Sequence, residues 1–139
     1  MPSVSVKDSV VLISGSNRGI GKSFAIQALE MGAKKVYAGA RDESTLAELI
    51  AQYGDKIVPI TLDVTNQDHI DAAAAAGDVD ILINNSGMGG GGPAVNNPSP
   101  AGQRMEMEVN YFGMMNMSSA FAPILKANGG GAIINILSV

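Results

Sequence analysis

With 139 residues and a formal net charge of −4, the chain is expected to form one domain over residues 1–139. Its mildly acidic balance, nine basic against thirteen acidic residues, excludes a nucleic-acid partner, which needs a basic patch. No cysteine and a single histidine exclude a disulfide framework, a thiolate metal site and a His-rich metal site, so no metal is expected. Residues 1–9 lack the apolar core of a signal peptide, and no run reaches the roughly 18 apolar residues needed to span a bilayer. No membrane partner is expected, and a cytoplasmic location is the default.

Short apolar runs alternate with longer helical stretches, the pattern of repeated βαβ units. A first strand near 9–14 feeds a turn bearing Gly15, Gly19 and Gly21, and a helix follows near 19–32. A strand running through a glycine-rich turn into a helix N-terminus makes an anion site, because unpaired N–H groups and the positive helix end face the ligand. Gly15 is expected to allow the tight turn, and Gly19 and Gly21 to remove Cβ atoms that would keep a pyrophosphate from the backbone. Gly32 is placed to cap the helix before a second strand near 35–40. A helix near 44–53 and a third strand near 57–61 follow. Thr65 with Asp68 reads as a capping box for a helix near 67–76, in whose first turn His69 is expected to be exposed and without a role.

After a fourth strand near 79–84 comes GMGGGGPAVNNPSP, residues 87–100, whose glycines and prolines cannot form a helix or a central strand. It is expected to be a mobile loop over the ligand end of the sheet, a domain linker being the alternative. A long helix near 102–126 carries Met105, Met107, Met114, Met115 and Met117. These fit soft packing against the sheet or a subunit interface, with a hydrophobic ligand patch as the alternative. Asn116-Met117-Ser118 matches a glycosylation sequon inside that helix and is read as coincidence. A last strand near 131–137 closes the series. Right-handed crossovers then give a Rossmann-type α/β sheet of five parallel strands in the order 3-2-1-4-5.

Five segments in fixed order resemble the short-chain dehydrogenase/reductase family. SGSNRGIG at 14–21 is similar to its TGxxxGxG motif, with Ser14 in place of Thr, and LDVT at 62–65 to its adenine-contacting segment. NNSG at 84–87 resembles NNAG, VNYFG at 109–113 resembles NVxG, and AIINILS at 132–138 resembles the strand that delivers a catalytic serine. The resemblance implies an NAD(P)-dependent oxidoreductase that reduces carbonyls or oxidises alcohols by hydride transfer. It also implies that the 1–139 domain is partial, since family members continue with further strands and at least one more helix.

Cofactor contacts implied by the resemblance are Gly15, Ser16, Asn17, Arg18, Gly19, Ile20, Gly21, Arg41, Asp63, Val64, Asn85, Ser86 and Gly87. Ala40 aligns where an NAD-selective Asp would stand, and Arg41 with Arg18 are the basic residues that NADP-preferring members use. Two guanidinium groups make charge-assisted contacts to a 2′-phosphate that a 2′-OH cannot match, so NADP(H) is expected over NAD(H). The alternative is that both arginines are solvated and Asp42 serves the ribose. Asp63 with Val64 resembles the adenine clamp, a helix-capping role for Asp63 being the other reading. Asn84 and Asn85 are expected to hold backbone across the sheet.

Ser138 aligns with the serine that binds the substrate carbonyl. Asn110 aligns with the asparagine that kinks the long helix and frees a carbonyl for a water in the proton relay. The family's general acid is a tyrosine in a YxxxK pattern beyond that serine, and none of Tyr37, Tyr53 and Tyr111 has a lysine four residues on. The chain is therefore expected to supply dinucleotide binding and the Ser/Asn pair, but not the Tyr/Lys pair, and to turn over little by itself. A small carbonyl or alcohol substrate is expected only for the complete protein. A non-catalytic NADP(H)-binding module and an inactive truncation product stay open as alternatives, and a homo-oligomer is expected in each case that leaves a soluble chain.

Overall fold

The computed structural model describes residues 3–93 and 95–138. The glycine-rich loop predicted over 87–100 thus includes Ala94, which lies outside the described residues. Element order is β1 (Val10–Ile13), α1 (Gly19–Glu30), β2 (Lys35–Ala40), α2 (Ala47–Tyr53), β3 (Ile57–Thr61), α3 (Gln67–Ala74), β4 (Ile81–Asn84), α4 (Pro100–Met107), α5 (Met114–Ala127) and β5 (Ala132–Asn135). A 3-10 turn, Glu43–Leu46, leads into α2, and a six-residue π-helical segment, Glu108–Gly113, joins α4 to α5.

The strands form one parallel sheet in the order β3-β2-β1-β4-β5, as the alternating pattern predicts. The switch from β1 outward to β2 on one side and to β4 on the other opens a crevice at the strands' carboxyl ends. Central position explains why β1 is apolar at every residue: its two faces feed two cores. Val11 and Ile13 pack with Ala25, Leu29, Val36 and Leu49 under α1 and α2. Val10 and Leu12 pack with Leu62, Ile70, Leu82, Met117 and Phe121 under α3 and α5. Met117 is wholly buried against the core, whereas Asn116 of the sequon is exposed.

Two expectations need correction. The helix cap before α3 is Asn66, whose Oδ1 accepts from the Asp68 and His69 amides at 3.0 and 3.3 Å. Thr65 cannot cap because its hydroxyl donates to Asp63 Oδ1 at 2.7 Å. His69 is half-buried and has a structural task, its Nδ1 accepting from the Asp63 amide at 3.1 Å. The long helix predicted near 102–126 runs over 100–127, distorted by the π-helical segment at the place where the resemblance puts a kink at Asn110. Its wider turn brings Gly113 against β3's exit, where a Cβ would stand 2.6 Å from Val64 Cγ2.

At the sheet's amino end Lys35, Tyr37 and Asp78 form a closed brace. Lys35 Nζ meets Asp78 Oδ2 at 2.6 Å and Tyr37 Oη at 2.9 Å, and Tyr37 Oη donates to Asp78 Oδ1 at 2.9 Å. Burial works against Asp78 ionising, but the bonds from Lys35 and Tyr37 outweigh it and hold its carboxyl below the ordinary 3.8. The bonds to Asp78 and Tyr37 raise Lys35 above its ordinary 10.5. A depressed acid loses its contribution as pH falls below its unfolded value, and a raised base loses its contribution as pH climbs through its folded one. Thermal melts should therefore show the brace's contribution constant between about pH 5 and pH 10 and fading on both sides. Asp78→Asn should flatten both limbs; unchanged limbs would show that the brace is solvent-screened to nothing.

Candidate functional site

A cavity of about 550 Å³ lies across the carboxyl ends of β3, β2, β1 and β4. The first glycine turn forms its floor. Gly15 adopts φ +67°, which only glycine takes without strain, and turns the chain from β1 toward α1. Ser14 is buried, and its one hydroxyl oxygen accepts from the Asn85 amide at 3.0 Å and the Ser86 amide at 2.9 Å. Asn85 returns the tie: its Nδ2 donates to Ser14 O at 3.2 Å and Gly15 O at 3.1 Å. The turn after β1 and the exit of β4 are thus a single hydrogen-bonded unit. Asn84, expected to hold backbone, holds side chains instead, its Nδ2 donating to Asn135 Oδ1 at 2.9 Å and Ser118 Oγ at 3.1 Å.

The N-terminus of α1 has no anionic or capping side chain of its own. Its N-cap residue, Arg18, makes no side-chain cap bond, and there is no acid in the first turn. The first-turn amides are left for a ligand, with the positive end of a 12-residue helix behind them. Gly19 has φ +54°, and no protein atom lies within 4 Å of where its Cβ would stand, so its missing side chain opens ligand space. Gly21 does something else. Its Cβ would lie 2.0 Å from Gly15 O and 2.5 Å from Asn85 Nδ2. The absent side chain there lets α1 pack on the turn; it does not clear a path for a ligand.

Most of the residues singled out from the sequence line this cavity together: Gly15, Asn17, Arg18, Gly19, Ile20, Arg41, Asp63, Val64, Asn85, Ser86 and Gly87. Gly21 and Ser16 do not. Ser16 is fully buried, with its hydroxyl donating to Ile13 O at 2.6 Å and its amide to Gly39 O at 2.8 Å, so both its donors hold the turn. Ala40, Asp42, Thr45, Leu62, Met88 and Val109 also form the wall. Asp42 and Ala40 flank Arg41, Leu62 and Val109 open the LDVT and VNYFG segments, and Met88 follows NNSG in the glycine-rich loop; Thr45 reaches the cavity with no local sequence signal.

Charge is distributed unevenly along the cavity. Arg18 and Arg41 line it between β1 and β2. Asp42, just beyond, uses its Oδ1 to accept from the Ser44 amide at 2.9 Å as the cap of the turn before α2. Asp63 stands at the end of β3. Burial opposes its ionisation, but the hydroxyl and amide of Thr65, with Arg41 and His69 nearby, outweigh burial and hold its carboxyl below the ordinary 3.8. An ionised acceptor near the Arg41 guanidinium thus shares one cavity with Arg18 and a helix N-terminus suited to an anion. Such an arrangement can hold a long, phosphate-bearing ligand with an amine donor at one end.

The two residues carried over as catalytic lie at the other side. Asn110 sits in the π-helical segment, its Oδ1 accepting from Met88 N at 2.9 Å and its Nδ2 donating to Met88 O at 2.8 Å. Ser138 is exposed, three residues past the end of β5, and is not part of the cavity wall. No tyrosine lines the cavity. No helix among the described residues is long and apolar enough to cross a membrane.

The family model described as short chain dehydrogenase matches residues 9–139. A 7alpha-hydroxysteroid dehydrogenase of Escherichia coli K12 is 33% identical over 135 residues, covering 92% of this chain and 52% of that protein. A short chain dehydrogenase from Burkholderia cenocepacia, solved in complex with NADP, is 43% identical with a TM-score of 0.90, over 97% of this chain and 55% of that one. A 3-ketoacyl-(acyl-carrier-protein) reductase from Brucella melitensis, complexed with NADH, is 29% identical with a TM-score of 0.87, over 96% of this chain and 59% of that one. The chain spans about half the length of the relatives it matches.

Proposed function

Because the chain belongs to the short-chain dehydrogenase family, we propose that it forms the dinucleotide-binding part of an NADP(H)-dependent oxidoreductase acting on a small carbonyl or alcohol. The observation that carries the reading is the uncapped N-terminus of α1, with Arg18 and Arg41 beside it on one cavity wall. First-turn amides of α1 hold the pyrophosphate, Arg18 and Arg41 the 2′-phosphate, and Asp63 with Val64 the adenine. When bound, the dinucleotide supplies the hydride. Asn85, Ser86 and Gly87 border the ligand where it passes β4. In the complete protein Asn110 shapes the helix next to the reacting end and Ser138 binds the substrate oxygen. Tyr37, Tyr53 and Tyr111 all lie off the cavity wall, so this chain's share of the reaction is binding, and the proton donor is not among its residues. Titration calorimetry with NADPH tests the assignment: saturable one-to-one binding supports it, and no binding sinks it.

We propose further that the working form is a homo-oligomer, on the strength of an exposed apolar helix face. It bears Met107, Tyr111, Phe112 and Met115, each about half exposed. An apolar helix face of this kind recruits a second helix. Light scattering should report at least a dimer, and a stable 14 kDa monomer at high concentration would refute the proposal. Phe112→Lys should weaken a dimer paired through this face.

A further inference from the structure

Glu106 belongs to none of the motifs read from the sequence, yet its side chain organises the glycine loop after β4. It stands on α4, one turn before Asn110. Its Oε1 accepts from the Gly90 amide at 2.5 Å and from the Gly91 amide at 2.8 Å. Asn110 holds the next point along the loop through the amide and carbonyl of Met88. Gly91 O then accepts from the amide of Ser99, the residue that caps α4, at 3.0 Å. Gly102 completes the seat: a Cβ there would lie 2.4 Å from Gly90 O, so α4 and the loop touch backbone to backbone.

The loop expected to be mobile is tied to α4 over this stretch. Four consecutive glycines, 89–92, have the greatest conformational freedom to lose, and an isolated segment of this kind would not hold one shape. Here the carboxylate of Glu106 ties it down at two adjacent amides. Both bonds converge on an ionised oxygen, the stronger class of hydrogen bond. Gly91 and Gly90 accordingly pull the Glu106 carboxyl below its ordinary 4.5.

The tied glycines follow directly on the cavity wall. Gly87 and Met88 line the cavity beyond β4, on the opposite side of β1 from Arg41 and Asp63. A ligand whose adenosine half lies toward β2 and β3 must place its other half along Gly87 and Met88. We propose that Glu106 is a positioning residue for that other half: by holding Gly90 and Gly91 on α4, it sets where Gly87 and Met88 stand. The assignment rests on the dinucleotide reading of the cavity and adds to it a residue outside the wall.

The test compares NADPH with 2′,5′-ADP, which carries the adenosine half alone, by calorimetry on the whole chain. Glu106→Ala should weaken NADPH about tenfold, the effect of losing a charge-assisted bond, and change 2′,5′-ADP by no more than about twofold. Glu106→Gln keeps a side-chain oxygen at the same place and should restore most of the NADPH affinity. Hydrogen exchange at Gly90 and Gly91 should speed up in Glu106→Ala and stay slow in Glu106→Gln. Equal weakening of both ligands, or of neither, overturns the role of Glu106 and leaves the dinucleotide site standing. A wild-type chain that binds neither ligand overturns the dinucleotide reading, and the Glu106 assignment with it.

Discussion

NADPH is expected to bind this chain more tightly than NADH by about 2–3 kcal/mol, and Arg41→Ala to erase most of the difference. The 2′-phosphate is the only chemical difference between the two ligands, so the gap measures what that group meets. Arg18 at the N-cap of α1 and Arg41 past the end of β2 line the same cavity. Each guanidinium offers a planar fork of donors that fits phosphate oxygens, whereas a ribose hydroxyl would leave both forks to water. The competing carboxylate is Asp42, whose Oδ1 already accepts from the Ser44 amide. A carboxylate used as a helix-turn cap is less free to take a ribose 2′-OH. Asp63, held ionised, sits at the end of β3, one strand further out, and serves the adenine in this reading. Similar structures include an NADP complex and an NADH complex, so the titration and not the family decides the preference. Raising the salt should narrow the gap, because exposed charge pairs are screened within about 10 Å at 0.1 M. Equal affinities for NADPH and NADH at low salt would show both arginines to be solvated.

Fold and site were legible in the sequence to different depths. The βαβ pattern, with β1 apolar at all of its positions, led directly to the observed sheet order, because a parallel sheet buried on both faces leaves an unbroken apolar signature. The glycine turn was legible as an anion site for the same reason: positive φ at Gly15 and Gly19 demands glycine, and the demand shows in the letters. What escaped were contacts made by residues that any sequence could place there. The kink at Asn110 was legible from the resemblance, but its π-helical form has no propensity signature, and the pressure of Gly113 against Val64 shows what the wider turn accommodates. Thr65 and Asn66 are both good caps; which one serves depends on Asp63 claiming the Thr65 hydroxyl. Glu106 reads as an ordinary surface acid until the loop folds back onto it.

Gly21→Ala is expected to cost about 3 kcal/mol or more of stability, and Gly19→Ala only about 1–2 kcal/mol. Both positions belong to one motif, and the sequence alone assigns them one role. The structure separates them by what a Cβ would meet. At Gly21 it would stand 2.0 Å from a backbone oxygen, Gly15 O, and 2.5 Å from Asn85 Nδ2. A backbone atom cannot swing aside as a side-chain tip can, so relief requires α1 to lift from the turn. Lifting α1 would also strain the Asn85 bonds to Ser14 O and Gly15 O, which join the turn to β4. At Gly19 the space is open, and the cost is the left-handed φ of +54° alone. The two variants should therefore fail differently. Gly21→Ala should lower the melting temperature by roughly 10 °C for a domain of this size, with nucleotide affinity falling as the turn distorts. Gly19→Ala should melt within a few degrees of wild type yet bind NADPH poorly, because its new methyl occupies ligand space. Melting curves for the two variants with and without NADPH decide the matter. A Gly21→Ala chain as stable as Gly19→Ala would mean that α1 does not sit on the turn as tightly as the 2.0 Å approach requires.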